Sequence, residues 1–192
     1  MIIPFATQNQ AKLTEAKQVL QPWGMDVEAL SLELVEPDFG TIEAVARDKL
    51  RQVRKRGYRR AMVDDAGIFF KAYDHFPGIL TKRIFERLGY KGVMKLLAGE
   101  SREAWFEGVV AVLWDGETAV FSAKTPGRIL DVAPAQVRPE PGFPFNPIFV
   151  PEGEHRTMGE MSAEERETYS YRGKVLRQVA VWLNRQHQAD GK

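Results

Sequence analysis

Ala61-Met62-Val63-Asp64-Asp65-Ala66-Gly67-Ile68-Phe69-Phe70 is the stretch on which the reading of this chain turns. The apolar run Ala61 to Val63 has the character of the end of a buried strand. Two carboxylates follow side by side, and Gly67 reads as a tight backbone turn before the apolar character resumes. Adjacent acids at a strand end are costly to bury unless something positive neutralises them. A hard cation such as Mg²⁺ takes oxygen ligands and bridges to phosphates, which makes it a suitable partner. Two ordinary acids in a solvated turn are the alternative.

The rest of the composition sets the bounds. A chain of 192 residues, 44% hydrophobic and 28% charged, suits one domain or two closely packed lobes with a sizeable core. A formal net charge of +1 gives no bulk argument for a nucleic-acid or membrane partner. The absence of cysteine excludes disulfides and thiolate metal sites and fits a reducing compartment, so a cytoplasmic location is expected. Ile2-Ile3-Pro4-Phe5-Ala6 is too short and uncharged for a signal peptide. No apolar run approaches the roughly 18 residues that a membrane-spanning helix needs.

In chain order, Ile2 to Ala6 reads as a buried strand. Thr7-Gln8-Asn9-Gln10-Ala11-Lys12 follows, and Leu13, Ala16, Val19 and Leu20 recur at helical spacing from about Gln10. Strand, polar turn and helix start suit a phosphate, because a helix N-terminus carries free N–H groups and a positive dipole end. Asn9 as a plain N-cap and Lys12 as a surface lysine are the simpler alternative. Met25 to Leu30 reads as a second strand and Glu36-Pro37-Asp38-Phe39-Gly40 as a loop. Thr41 reads as the N-cap of a helix with Ile42, Val45, Ala46, Leu50 and Val53 on one stripe. Lys49 lies near that stripe, either snorkelling outward or reaching a phosphate-holding cleft. The basic stretch at residues 51–60 reads as a solvated helix end rather than a nucleic-acid patch.

Pro77-Gly78 marks a turn, and Thr81 reads as the cap of a helix carrying Ile84, Phe85 and Leu88, with a further helix over Tyr90 to Ala98. Ala104 to Trp114 and Thr118 to Thr125 flank Asp115-Gly116 as a β-hairpin. Residues 126–147 read mostly as loop and Ile148 to Val150 as a short strand. Ser162 to Glu165 has the form of a capping box. A last helix from about Ser170 carries Val175, Leu176, Val179, Ala180 and Leu183 on one face, and the tail from Gln186 reads as frayed.

Five segments taken together resemble one family, the inosine triphosphate pyrophosphatases, also described as non-standard purine nucleoside triphosphate pyrophosphatases. They are Thr7-x-Asn9-x-x-Lys12; Glu36 with Thr41 to Lys49; Val63 to Ile68 with Phe76-Pro77-Gly78; Gly142 to Gly153; and Thr157 to Ser162 running into Ser170 to Lys174. The resemblance implies an α/β fold in one domain of two lobes, with a long bent mixed β-sheet flanked by helices and the active cleft between the lobes. It also implies a homodimer, a requirement for Mg²⁺, and hydrolysis of a nucleoside triphosphate to monophosphate and pyrophosphate. Thr7, Asn9 and Lys12 would hold phosphate oxygens, and Lys49 would add a cation. Glu36, Asp64 and Asp65 would hold the metal. Asp65 is the candidate general base for the water that attacks the α-phosphorus.

The base-recognition end departs from the family pattern. An aromatic-Asp-Pro is usual where Phe145-Asn146-Pro147 stands, Ser-His-Arg where Ser170-Tyr171-Arg172 stands, and lysine at the position of Arg166; Ala66 replaces a serine. Phe143 and Phe145 offer rings on which a base could stack, and Asn146, Arg166, Tyr171 and Arg172 complete the implied substrate contacts. Asparagine donates and accepts where aspartate only accepts, and Arg166 offers a fork rather than a point charge. These changes imply altered base preference, with neutral replacement as the alternative. A nucleotide sensor that has lost catalysis is the competing reading.

Overall fold

The computed structural model describes residues 1–38 and 40–190. Phe39, in the loop read at Glu36 to Gly40, and the last two residues of the tail lie outside the described residues. Strands β1 (Ile2–Phe5), β2 (Asp26–Ala29), β3 (Arg60–Phe70), β4 (Glu103–Trp114), β5 (Glu117–Ile129) and β6 (Phe149–Pro151) form one sheet in the order β2-β1-β3-β4-β5-β6. Helices are α1 (Gln10–Leu20), α2 (Ile42–Lys55), α3 (Thr81–Leu96), α4 (Ala163–Tyr169) and α5 (Tyr171–Asp190). β1 is parallel to both β2 and β3, whereas β5 and β6 are antiparallel, so the sheet is mixed. The expected α/β class with a mixed sheet and flanking helices is what the chain adopts.

Two compact units share the chain. The first takes Met1–Asp65, Gly108–Ala123 and the chain from Tyr171 onward. Its core joins Ile3 and Phe5 of β1, Met62 of β3 and Val110 and Val112 of β4 to Ala16, Val19 and Leu20 of α1 and Val175, Leu176, Val179, Ala180 and Leu183 of α5. Every third or fourth residue of the two helices is apolar, so each lays one stripe on the strands. The second unit takes Ala66–Glu107 and Lys124–Ser170, with a core of Ile68, Phe70, Phe85, Val93, Phe145, Ile148 and Phe149.

Three expectations need correction. Gly67 is not a turn: β3 runs unbroken from Arg60 to Phe70. Glycine is required there because a Cβ would lie 2.2 Å from the Gly78 carbonyl oxygen. Thr81 does not cap α3 but begins it; its hydroxyl donates to the Gly78 carbonyl at 2.6 Å and accepts from the Ile68 N–H at 2.9 Å. The two helices read over residues 81–98 are continuous except at Gly89, whose positive φ kinks α3. Beyond these, β5 reaches Ile129, into the stretch read as loop, and the tail from Gln186 continues as helix to Asp190. The Asp115-Gly116 hairpin stands, both residues having the positive φ that a two-residue turn favours.

Candidate active site

In the first unit, the site grows from the point where β1 stops. Phe5 pairs with Met62 and the Ala6 N–H donates to the Met62 carbonyl at 2.9 Å. β3 continues without that neighbour, and Asp64 and Asp65 come next. The carboxyl ends of parallel strands are where α/β sheets hold ligands. Asn9 caps α1: its Oδ1 accepts from the backbone of Ala11 at 3.0 Å and Lys12 at 3.2 Å. Thr7 Oγ1 accepts from the Asn9 N–H at 3.1 Å. Both side-chain oxygens are thus turned on the backbone, and no acidic residue sits in the first turn of α1 to offset its positive end.

The two acids are surrounded by cations. Asp64, 5% exposed, receives Lys12 Nζ on Oδ1 at 2.9 Å and Arg172 Nε on Oδ2 at 3.3 Å. Burial would raise its carboxyl, but Lys12, Arg172 and Lys49 together outweigh burial and hold it below the usual range. Lys49 does not snorkel outward. It is buried, and its amine donates to Asp65 Oδ1 at 2.9 Å and to the Asp64 carbonyl at 3.1 Å, and pairs with Glu36 Oε1 at 2.6 Å. Burial pulls that amine down, yet Asp65 and Glu36 more than offset the pull, so it stays charged above its ordinary range. Burial raises the Asp65 carboxyl despite Lys49, a direction that suits a proton acceptor.

Arg172, at the start of α5, is 3% exposed; it pairs with Glu15 as well as Asp64 and donates from Nη2 to the Tyr171 hydroxyl at 3.0 Å. It is therefore part of the acid–cation cluster. Tyr171 lies against Gly108, where a Cβ would meet the ring at 2.2 Å. Burial pushes its phenol up to about 12. Glu15 was not anticipated: a glutamate on a helix surface carries no sequence signal of a buried arginine.

The second unit holds the remaining expected residues. Glu140-Pro141-Gly142-Phe143 is a tight turn, with the Phe143 N–H donating to the Glu140 carbonyl at 2.9 Å and Gly142 at φ 81. Proline second and a positive-φ glycine third are the signature of a type II turn. The turn presents Glu140, which sequence reasoning missed, to both Asn146 and Arg166. Asn146 Nδ2 donates to Glu140 Oε2 at 3.1 Å, and Arg166 Nη1 donates to Glu140 Oε1. Phe145 is 1% exposed and makes edge contacts with Phe70 and Phe85, so it is core and offers no face to a base. Phe143 is half-buried. The basic stretch at 51–60 is engaged within the chain: Arg56 holds the Glu33 carbonyl, and Arg59 and Arg60 pair with Asp115.

A Mg²⁺ ion in an enzyme of phosphates uses one or two carboxylates and completes its shell with water and phosphate oxygens. Among the described residues, no three acids or histidines converge as a ready-made cage. Glu36 and Asp65 do converge, on one ammonium nitrogen, at 2.6 and 2.9 Å. That is a position where a positive charge already sits between two hard oxygen donors, and the donor chemistry fits Mg²⁺. Asp64 is committed on both oxygens to Lys12 and Arg172.

Known proteins resemble this chain along most of its length. Residues 3–182 match the Ham1 family. A dITP/XTP pyrophosphatase of Thermococcus kodakarensis is 38% identical over 184 residues, 95% of this chain and 97% of that protein. One of Hyperthermus butylicus is 34% identical, covering 95% and 94%. The solved structure of a HAM1 protein from Coxiella burnetii superposes with a TM-score of 0.80 at 25% identity, covering 96% of this chain and 99% of that one. An acid pair on the strand past the end of β1, the lysines that reach it, and a match over nearly the whole length lead to one conclusion: the chain belongs to the Ham1 family.

Proposed function

We propose that this protein is a nucleoside triphosphate pyrophosphohydrolase that removes non-standard purine nucleotides of the dITP and XTP kind. The observation that carries the reading is the cluster in the first unit, where Lys12, Lys49 and Arg172 close on Asp64 and Asp65. Cations held by carboxylates are pre-positioned and can exchange those partners for phosphate oxygens without an ordering cost. The names of relatives at 38% and 34% identity support the same reaction.

Lys12, the more exposed lysine at 20%, would take an outer phosphate oxygen as it releases Asp64. Lys49 would steady the chain of phosphates from the opposite acid. Asp65, its carboxyl raised by burial, would accept the proton of the attacking water at Oδ; the oxygen bonds to the α-phosphorus, and pyrophosphate leaves with the electrons of the broken anhydride bond. Glu36 and Asp65, with Asp64 beside them, would hold Mg²⁺. The ion supplies charge neutralisation for the phosphates and a lower pKa for bound water. Arg172 would orient Asp64 through its 3.3 Å contact. We carry over a homodimer and a cytoplasmic setting from the resemblance and from the absence of cysteine.

A panel of nucleoside triphosphates in Mg²⁺, scored for pyrophosphate against orthophosphate, tests the proposal. Stoichiometric pyrophosphate from inosine and xanthosine triphosphates, well above the standard nucleotides, is expected; that outcome would favour neutral replacement at Asn146, Arg166 and Tyr171 over an altered base preference. Orthophosphate as the product, or tight binding with no turnover, would overturn it.

A further inference from the structure

We propose that Gln52, with Arg56 one turn further on, is a positioning residue for the divalent ion: the two set the register of residues 33–36 along α2 and so bring the Glu36 carboxylate to Lys49 and Asp65. The inference rests on the proposed reaction, whose metal it concerns, and adds what places one of the acids.

Glu36 lies between β2 and α2, where residues 31–37 form no helix, strand or turn. Its side chain is 60% exposed, yet it reaches the buried Lys49 amine at 2.6 Å. An acid on such a segment has many positions open to it, and fixing one costs chain entropy. Burial does not hold the segment at the preceding residue, because Val35 is 71% exposed. Pro37 biases Glu36 toward extended backbone, which straightens the strap without aiming it.

Side chains of α2 supply the aim. Gln52 acts as a neighbouring strand would: its Oε1 accepts from the Val35 N–H at 2.9 Å and its Nε2 donates to the Val35 carbonyl at 2.8 Å. Nε2 also donates to Asp48 Oδ2 at 2.8 Å. An ionised carboxylate only accepts, so Asp48 fixes which end of the amide is nitrogen. Arg56 Nη2 donates to the Glu33 carbonyl at 2.9 Å, and its Nη1 donates to the Gln52 carbonyl at 3.2 Å, which anchors it to the helix end. Lys49, Gln52 and Arg56 are three and four residues apart and share one helix face. The strap runs opposite to the helix along that face, with Glu33 at Arg56, Val35 at Gln52 and Glu36 at Lys49. Three residues of extended chain cover about 10 Å, and the helix rises about 10.5 Å from Lys49 to Arg56. The two lengths agree. A slip of one residue would set Val35 or Pro37 against Lys49 and lose the carboxylate.

Titration of the nucleotide-free full chain with Mn²⁺, a divalent ion that oxygen donors also suit, tests this without turnover when the free ion is counted by electron paramagnetic resonance. Gln52→Leu keeps a good helix former and loses both bonds to Val35; it should weaken Mn²⁺ binding about tenfold, as removal of a residue that orients a metal ligand does. Hydrogen exchange at the Val35 amide should quicken in the same variant. Arg56→Met, which removes the outer rung, should weaken Mn²⁺ binding in the same direction and by less. Q52L/E36Q should bind Mn²⁺ within about twofold of Glu36→Gln alone, because Gln52 acts through Glu36, whereas a merely structural role would add its own loss. Native affinity in Gln52→Leu, additive losses in the double variant, or a native protein that takes up no Mn²⁺ would each overturn the inference. Gln52-dependent Mn²⁺ binding without pyrophosphate release would sink the proposed reaction and leave this inference standing; pyrophosphate release with Mn²⁺ binding indifferent to Gln52→Leu would do the reverse.

Discussion

Replacing Arg172 by Met removes one guanidinium that serves two acids. Asp64 is 5% exposed and would keep Lys12 at 2.9 Å as its hydrogen-bonded cation, with Lys49 acting at longer range; Glu15 would lose a partner but can reach water. Breaking a buried pair by deleting one side costs roughly 3–5 kcal/mol, because the surviving charge is left short of compensation. Lys12 remains, so the low end applies, about 3 kcal/mol. For a chain of this size that is a fall in melting temperature of roughly 6–12 °C. Asp64→Asn combined with Arg172→Met leaves no orphaned carboxylate and should recover about half of the loss or more. Urea unfolding followed by circular dichroism, with midpoint and slope fitted for all variants, measures both quantities. A single-variant loss below about 1 kcal/mol, or a double variant no better than the sum of its parts, would refute the reading of Arg172 as the neutraliser of Asp64.

Acid stability follows from the same contacts. The folded Asp64 carboxyl lies below its unfolded value of 3.8, because Lys12, Arg172 and Lys49 outweigh its burial; its stabilisation is present above pH 3.8 and is lost as pH falls through the folded value. Metal-free native protein should therefore lose stability more steeply than Asp64→Asn below about pH 4, and parallel urea midpoints for the two would contradict this. Lys49→Met should lower kcat/KM by about 100-fold, as expected for losing one pre-positioned charge, and a change under about fivefold in steady-state assays would remove Lys49 from the phosphate site. Gly67→Ala drives a Cβ to 2.2 Å from the Gly78 carbonyl, a backbone collision that should cost about 2 kcal/mol or more by urea unfolding; a neutral effect would mean that the two segments part easily.

Much of this was legible from local pattern. The 3.6-residue spacing of Ala16, Val19 and Leu20 and the Ile42 to Val53 stripe mark two helices correctly, since each buries one face. Asn9, Thr41 and Ser162 cap helices as their side chains dictate. Asp64 and Asp65 are neutralised as an adjacent buried pair demands, but by lysine and arginine drawn from α1, α2 and α5, and sequence does not announce which helix faces reach a strand. Gly67 misled because its requirement is a close approach of Gly78, a long-range fact, while glycine in a single sequence reads as a turn. Phe145 looked like a stacking surface, yet Phe70 and Phe85 enclose it, and burial of an aromatic depends on partners distant in sequence. Glu140 was within reach: Glu-Pro-Gly-Phe encodes a type II turn, which brings its first and last residues together.

Water attack at the α-phosphorus is what separates pyrophosphate release from stepwise loss of orthophosphate. Turnover of inosine triphosphate with Mg²⁺ in ¹⁸O-enriched water, followed by ³¹P NMR of the products, locates the new bond. The native protein should place the label in the monophosphate and none in pyrophosphate, and Asp65→Asn should fold normally with turnover reduced to background. Label in pyrophosphate or orthophosphate, or near-native turnover by Asp65→Asn, would contradict it.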